Sequence, residues 1–306
     1  MTGPINSPLH HPRRGMMVLV ALIGLAAVSH GVIFVRLAGD TPALLIAAAR
    51  VGIATLVFLP FALHGMQGST RAVPPSGLVL IGLSLVSGLF LAVHFASWIE
   101  SVQRLTIAES ALLVSLSPIW VVLAEIGLGR GRPSKGVLIG ILLCLVGLIL
   151  IGWDGLRTPE GDPVGLFLAT LGGMAMAGYL MIGKHVRQYL GTSQYVTLCY
   201  GSAAVTLILA GLVMGVSASG LDRQAWLAIL ALGLVSQVIG HTSYNHSLGR
   251  VSPIFVAICL LGEPIIGGLL GMVYFDEAIP AMTLLGAIPI LVGLWFAIRA
   301  EMGRTD

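Results

Sequence analysis

The sequence predicts an all-α membrane protein of ten transmembrane helices, arranged as two inverted five-helix repeats with both termini in the cytoplasm. Three observations lead there. Of 306 residues, 57% are hydrophobic and only 9% are charged, whereas soluble globular chains carry about 25% charged residues. Apolar stretches of the length needed to cross a bilayer, roughly 17–25 residues, recur along the whole chain. Two stretches match each other without a gap at a shift of 146 residues.

Taken in order, residues 1–15 (MTGPINSPLHHPRRG) are polar and proline-bearing and read as a disordered cytoplasmic N-terminus. Arg13 and Arg14 precede an apolar stretch that runs on to Val35 and opens a regular series, which argues against a cleaved signal peptide. Spans are expected near 16–35, 42–63, 76–98, 105–126 and 136–153, then near 164–183, 194–216, 224–244, 253–273 and 280–298. These make a first unit over 16–153, a second over 164–298 and a cytoplasmic tail over 299–306. With the N-terminus inside, the inner segments hold Arg13, Arg14, Arg71, Arg130, Arg132, Lys135, Lys184, Arg187, Arg250, Arg299 and Arg304. The outer segments hold only Arg36, Arg104, Arg157 and Arg223. That bias satisfies the positive-inside rule.

The repeat superimposes Ser101, Arg104, Ala111, Pro118 and Ile119 on Ser247, Arg250, Ala257, Pro264 and Ile265. It also superimposes Gly140 and Gly147 on Gly286 and Gly293. Apolar matches arise by chance in such a chain, but an Arg, a Pro and two Gly pairs at one shift do not readily do so. Five spans per unit turn the second copy upside down, and inverted repeats are the construction of many secondary transporters.

The stretch LGEPIIGG places Glu263 about ten residues into an apolar span, or roughly 15 Å at 1.5 Å per residue, near the midplane. A charge there is costly and marks a function by default. Glu263 is the first candidate for holding a substrate amine or a proton, against a purely structural hydrogen bond. Its repeat mate is Ser117, so the repeat does not demand the charge. Gln237, His241, Tyr244 and Asn245 have the spacing of one helical face. Ser87, His94 and Trp98 form a second, weaker stripe, with Tyr179 and His30 weaker still. Arg50 offers a planar fork for a carboxylate but reads better as a helix–helix ion pair with Glu109. Pro118 and Pro264 remove matching helix hydrogen bonds and mark discontinuous helices or static kinks. Gly136/Gly140 and Gly267/Gly271 are small-xxx-small packing pairs. Cys144, Cys199 and Cys259 lie in apolar runs and read as inert packing residues.

Several functions are disfavoured. There is no GxxxxGK[ST] loop for ATP, no HExxH and no GxSxG. No cofactor, metal or nucleic acid is implied, so the chain is not expected to be an enzyme. A membrane enzyme and a non-transporting scaffold are remote alternatives.

At these residues the sequence resembles the drug/metabolite transporter superfamily, in its EamA group of ten-span proteins. The second half gives EPIIGGLLGMVYFDEAIP then LLGAIPILVGL, and the first gives SPIWVVLAEIGLGRGRPS then VLIGILLCLVGL. The early pattern of a basic residue, a Pro and an Arg inside span 2 resembles Arg36, Pro42 and Arg50. The family's acidic turn residue fits Glu277 in the second half, while Gly131 stands in the first, and the tryptophan usual in span 1 is missing beside Ser29 and His30. The resemblance implies two EamA-like repeats in a bacterial inner membrane. It also implies non-ATP export of amino acids or similar small polar metabolites by alternating access, with protons as a possible partner. Drug or multi-metabolite efflux, or metabolite uptake, are the alternatives on the same fold.

Overall fold

An apolar chain in a bilayer can satisfy its backbone only within itself, which selects helices. A computed structural model describes residues 14–64, 75–105, 107–129, 133–151, 153, 162–276 and 281–303. The side chain of Glu109 lies outside the described residues, as do residues 1–13, Arg71, Arg130, Gly131, Arg132, Arg157, Glu277 and Arg304.

The first half consists of α1 (Arg14–Ser29), α2 (Gly31–Leu37), α3 (Ala43–His64), α4 (Gly77–Arg104), α5 (Ile107–Val114), α6 (Ser117–Gly127) and α7 (Lys135–Ile151). The second consists of α8 (Pro163–Val186), α9 (Thr192–Val213), α10 (Arg223–Ala231), a π-helix (Leu232–His241), α11 (Thr242–Leu248), α12 (Pro253–Leu260), α13 (Glu263–Phe275) and α14 (Ala281–Met302). No strand occurs among the described residues. Seven helical stretches there are long and apolar enough to cross a membrane, and three further apolar helices, Ser117–Gly127, Lys135–Ile151 and Leu284–Ala300, are shorter. Large apolar side chains face outward all around, Leu63, Leu78, Leu212 and Val213 among them, as a lipid-facing surface requires.

Several expected spans are not single helices. The first is divided at His30 into α1 and α2. The fourth is divided at Ser115 and Leu116 between α5 and α6, and the ninth at Leu261 and Gly262 between α12 and α13. The last two divisions are equivalent by the 146-residue shift. In each case the proline sits in the first turn of the helix that resumes, Pro118 in α6 and Pro264 in α13. There its missing N–H leaves nothing unsatisfied.

Helix pairing follows the repeat. α7 packs on α14, α3 on α9, α4 on α8, and α1 on the π-helix and α11. Exchanging the halves maps the first two pairs onto themselves and the last two onto each other. The α7–α14 crossing is antiparallel and rests on four glycines. A Cβ on Gly147 would stand 2.4 Å from the Gly286 oxygen, and one on Gly293 2.6 Å from the Gly140 oxygen. Gly140 and Gly286, and Gly147 and Gly293, are repeat mates, so each contact is the image of the other. Between them Cys144 Sγ lies 3.6 Å from the carbonyl of its own mate, Ile290. Reciprocal contact between equivalent residues of antiparallel helices is what a two-fold axis across the helices produces.

Candidate functional site

The two broken helices and the helices flanking them enclose a cavity of about 30 Å³, room for a water or two. It is lined by Val28, Arg50, His94, Trp98, Val114, Ser115, Ser117, Met176, His241, Leu260 and Glu263, drawn from both halves. Val114 and Leu260 are each the fourth residue before a proline, so their carbonyls lose the usual helical donor. On the α5 side Gly173 of α8 lies so close that an added Cβ would be 2.9 Å from the Val114 oxygen. A glycine is therefore needed for α8 to pack on the open turn.

On the second half, Glu263 opens α13, where a carboxylate complements the positive end of the helix dipole. It is partly buried and faces the cavity. Arg50 of α3 is 1% exposed. Its Nε donates to Gln237 Oε1 at 3.1 Å, and its guanidinium lies 3.8 Å over the Phe95 ring centroid. Glu109, the ion-pair partner expected for Arg50, has no described side chain, and an amide holds the guanidinium at Nε.

His94 Nδ1–H donates to the Gly172 carbonyl at 2.9 Å. Its ring stacks nearly parallel to that of Trp98, with 6° between the planes and 6.4 Å between centroids. His241 stands edge-on to Phe95 at 5.0 Å and 6.3 Å from Tyr179, with Nδ1 unpartnered.

The structure thus brings Glu263, Arg50, His94, Trp98, His241 and Ser117 to one cavity, with Gln237 directly behind Arg50. It does not bring all four polar residues of the eighth span there. The π-helix is the reason: Thr242 N–H reaches back five residues to the Gln237 carbonyl, and the wider turn rotates the residues C-terminal to it. Asn245 Nδ2 donates instead to Tyr200 Oη at 2.9 Å. Tyr244 packs against α1, where Gly24 leaves room for its ring, with its hydroxyl unpartnered. Tyr179 does not line the cavity; its carbonyl accepts from Ser87, whose hydroxyl also meets Tyr195 Oη at 2.7 Å. His30 closes on the Ala26 carbonyl at 2.9 Å. Arg36 lies 5.1 Å from the Phe275 ring centroid, away from the cavity. Ser115 and Phe95 are part of the site and carried no signal in the sequence, since a serine beside a serine-rich run and an aromatic in an apolar span are ordinary there.

Away from the cavity, polar bonds join the halves at both ends. Arg104 Nη1 meets Asp162 Oδ2 at 2.8 Å, and Arg104 also pairs with Glu100. At the other end Ser247, the mate of Ser101, donates to the Met17 carbonyl at 3.0 Å. Arg187 donates from Nε to the Asn245 carbonyl at 2.9 Å and from Nη1 to that of Leu190, and burial lowers its pKa to about 10. Among the described residues no group of three or more His, Cys, Asp or Glu is placed to hold a metal.

Broken helices meeting at a small polar cavity between two repeats define a membrane protein built for moving a solute past that cavity. The chain belongs to the EamA-like transporter family, whose model matches residues 15–153 and 163–299. It is 28% identical over 283 residues to an uncharacterized transporter of Archaeoglobus fulgidus, covering 91% of this chain and 96% of the other. It is 27% identical over 243 residues to a biotin transporter of Salmonella typhimurium, 77% of each chain. It is 23% identical over 256 residues to a probable amino-acid metabolite efflux pump of Escherichia coli, 78% of this chain and 85% of the other. A crystal structure sharing 19% identity matches with a TM-score of 0.74 over 95% of this chain and 100% of that one, which establishes a common fold.

Proposed function

We propose that this transporter is a ten-span inner-membrane protein of bacteria with both termini cytoplasmic and repeats over 16–153 and 164–298. It exports small polar metabolites, amino acids foremost, by alternating access and without ATP. The carrying observation is the cavity: a carboxylate, Glu263, and a guanidinium, Arg50, face one internal space at which both halves break a helix. A space of about 30 Å³ has room for water but not for a metabolite, so loading requires the cavity to widen. Arg104–Asp162 at one end and Ser247–Met17 at the other are among the inter-half contacts that rocking would break and remake. Uptake is the second reading, favoured by the biotin transporter among the relatives.

Glu263 is the proposed carrier of a proton or a substrate amine. The decisive experiment is counterflow of radiolabelled amino acids and biotin in proteoliposomes. Saturable counterflow is expected from the wild type, and Glu263→Gln should abolish it or remove its pH dependence while leaving the folded yield intact. Wild-type turnover with wild-type pH dependence in that variant would sink the role. Folded protein silent toward a broad panel would count against the transport reading itself.

A further inference from the structure

We propose that Arg50, held in place from behind by Gln237, is a carboxylate-binding subsite on the cavity wall, so that the molecules this protein moves are organic acids or zwitterions presenting a free carboxylate. The proposal rests on the transporter reading and adds to it the side chain that would hold a substrate's carboxylate.

Two side chains, already bonded to each other, carry the argument. Arg50 is 1% exposed and Gln237 fully buried. Arg50 possesses only donors, so its bond to Gln237 at 3.1 Å fixes which end of the amide is oxygen. The other end is then the NH2 group. That group is buried and has no partner, and neither has Arg50 Nη2. The guanidinium cannot turn freely to find one. Its plane is seated on Phe95 at 3.8 Å, with Trp98 at 5.9 Å, and Nε is held by the amide.

The result is a pre-oriented guanidinium with an unused N–H at Nη2 on an arginine that lines the cavity. Unsatisfied buried donors are unfavourable, and most of all on a charge. A carboxylate is the group whose two oxygens match such a fork. Glu263 lines the same cavity but no ion pair within 4 Å joins it to Arg50. A zwitterion therefore has complementary groups at both of its charged ends: the carboxylate at Arg50 and the amine at Glu263. Gln237 is a positioning residue in this scheme, acting through its bond to Arg50 Nε.

The test measures thermal stabilisation of the purified full-length protein in detergent, where binding to the folded state raises the unfolding midpoint. The probes are biotin, threonine and phenylalanine, each against its own carboxamide. The acids are expected to raise the midpoint and the amides not. Arg50→Gln should erase the discrimination. Gln237→Glu supplies Arg50 with an internal carboxylate, so the cation stays paired and the fold is kept. It should weaken acid binding by about ten- to a hundredfold, the worth of a charged hydrogen bond. The subsite is overturned if amides stabilise as well as acids, if discrimination survives Arg50→Gln, if Gln237→Glu leaves acid binding at the wild-type strength, or if no acid stabilises. Acids that bind in this way yet show no counterflow would overturn the transport reading and leave the subsite standing.

Discussion

The α7–α14 crossing offers the sharpest test of the repeat architecture. Consider Gly147→Ala. The new methyl would lie 2.4 Å from the Gly286 oxygen and 2.5 Å from Ile290 Cγ1. Side-chain Cβ atoms essentially never approach within 3.0 Å, so the helices must separate locally by at least about 0.6 Å, against a backbone atom that cannot rotate away. Overpacking of this kind costs about 1–3 kcal/mol. Gly286→Ala meets the Gly147 oxygen at the same 2.4 Å and should be equally destabilising; Gly140→Ala, at 2.9 Å from the Gly293 oxygen, should be milder. Gly82 has nothing within 4 Å, so Gly82→Ala should be neutral or stabilise by up to about 1 kcal/mol through helix propensity. The assay is thermal unfolding of purified protein in one detergent. Gly147→Ala and Gly286→Ala should fall below wild type, and the double variant should be non-additive because both strain one crossing. A midpoint for Gly147→Ala equal to that of Gly82→Ala would refute the close antiparallel contact.

Two further outcomes concern the ends of the molecule. Arg104 beside Asp162 holds that carboxyl below its ordinary value of 3.8. The contribution is therefore complete above that value and is lost as pH falls through the lower folded-state value. Asp162→Asn keeps the cap on Val164 N–H, seen at 2.9 Å, because asparagine also caps. It should lower the unfolding midpoint slightly near neutrality, as an exposed pair does, and the difference from wild type should vanish at the acid end of the titration. For orientation, Ser219→Cys should react with a membrane-impermeant maleimide on intact cells, and labelling only after permeabilisation would reverse the proposed topology. Ser219 is exposed and lies outside the cap of α10, which Asp222 Oδ1 makes by accepting from Ala225 N–H at 2.7 Å.

Much of the fold was legible because its causes are one-dimensional. Low charge and recurring apolar length leave helices in lipid as the solution, and the shared glycines and prolines at one shift reveal two copies. The site was legible only in part. Glu263, His94, Trp98, His241 and Ser117 stood out as polar or aromatic residues in apolar runs, and they share one cavity. Asn245 stood out equally and belongs elsewhere, bonded to Tyr200. Periodicity assumes 3.6 residues per turn, and the π-helix over Leu232–His241 breaks that assumption.

The contact at Arg50 Nε shows the same limit. From sequence the expected partner was a carboxylate, Glu109, whose side chain lies outside the described residues, and the amide carried no signal of its own as a partner. The folded chain sets Gln237 at Arg50 Nε, 187 residues away, a contact made by the packing of α3 against the π-helix of the other half. Composition and repetition, properties of the chain itself, determined the class, the helices and the doubling. Which polar groups meet was decided only when the two halves closed on each other, because contact distance depends on helix phase and crossing angle, and neither is written in the order of residues alone.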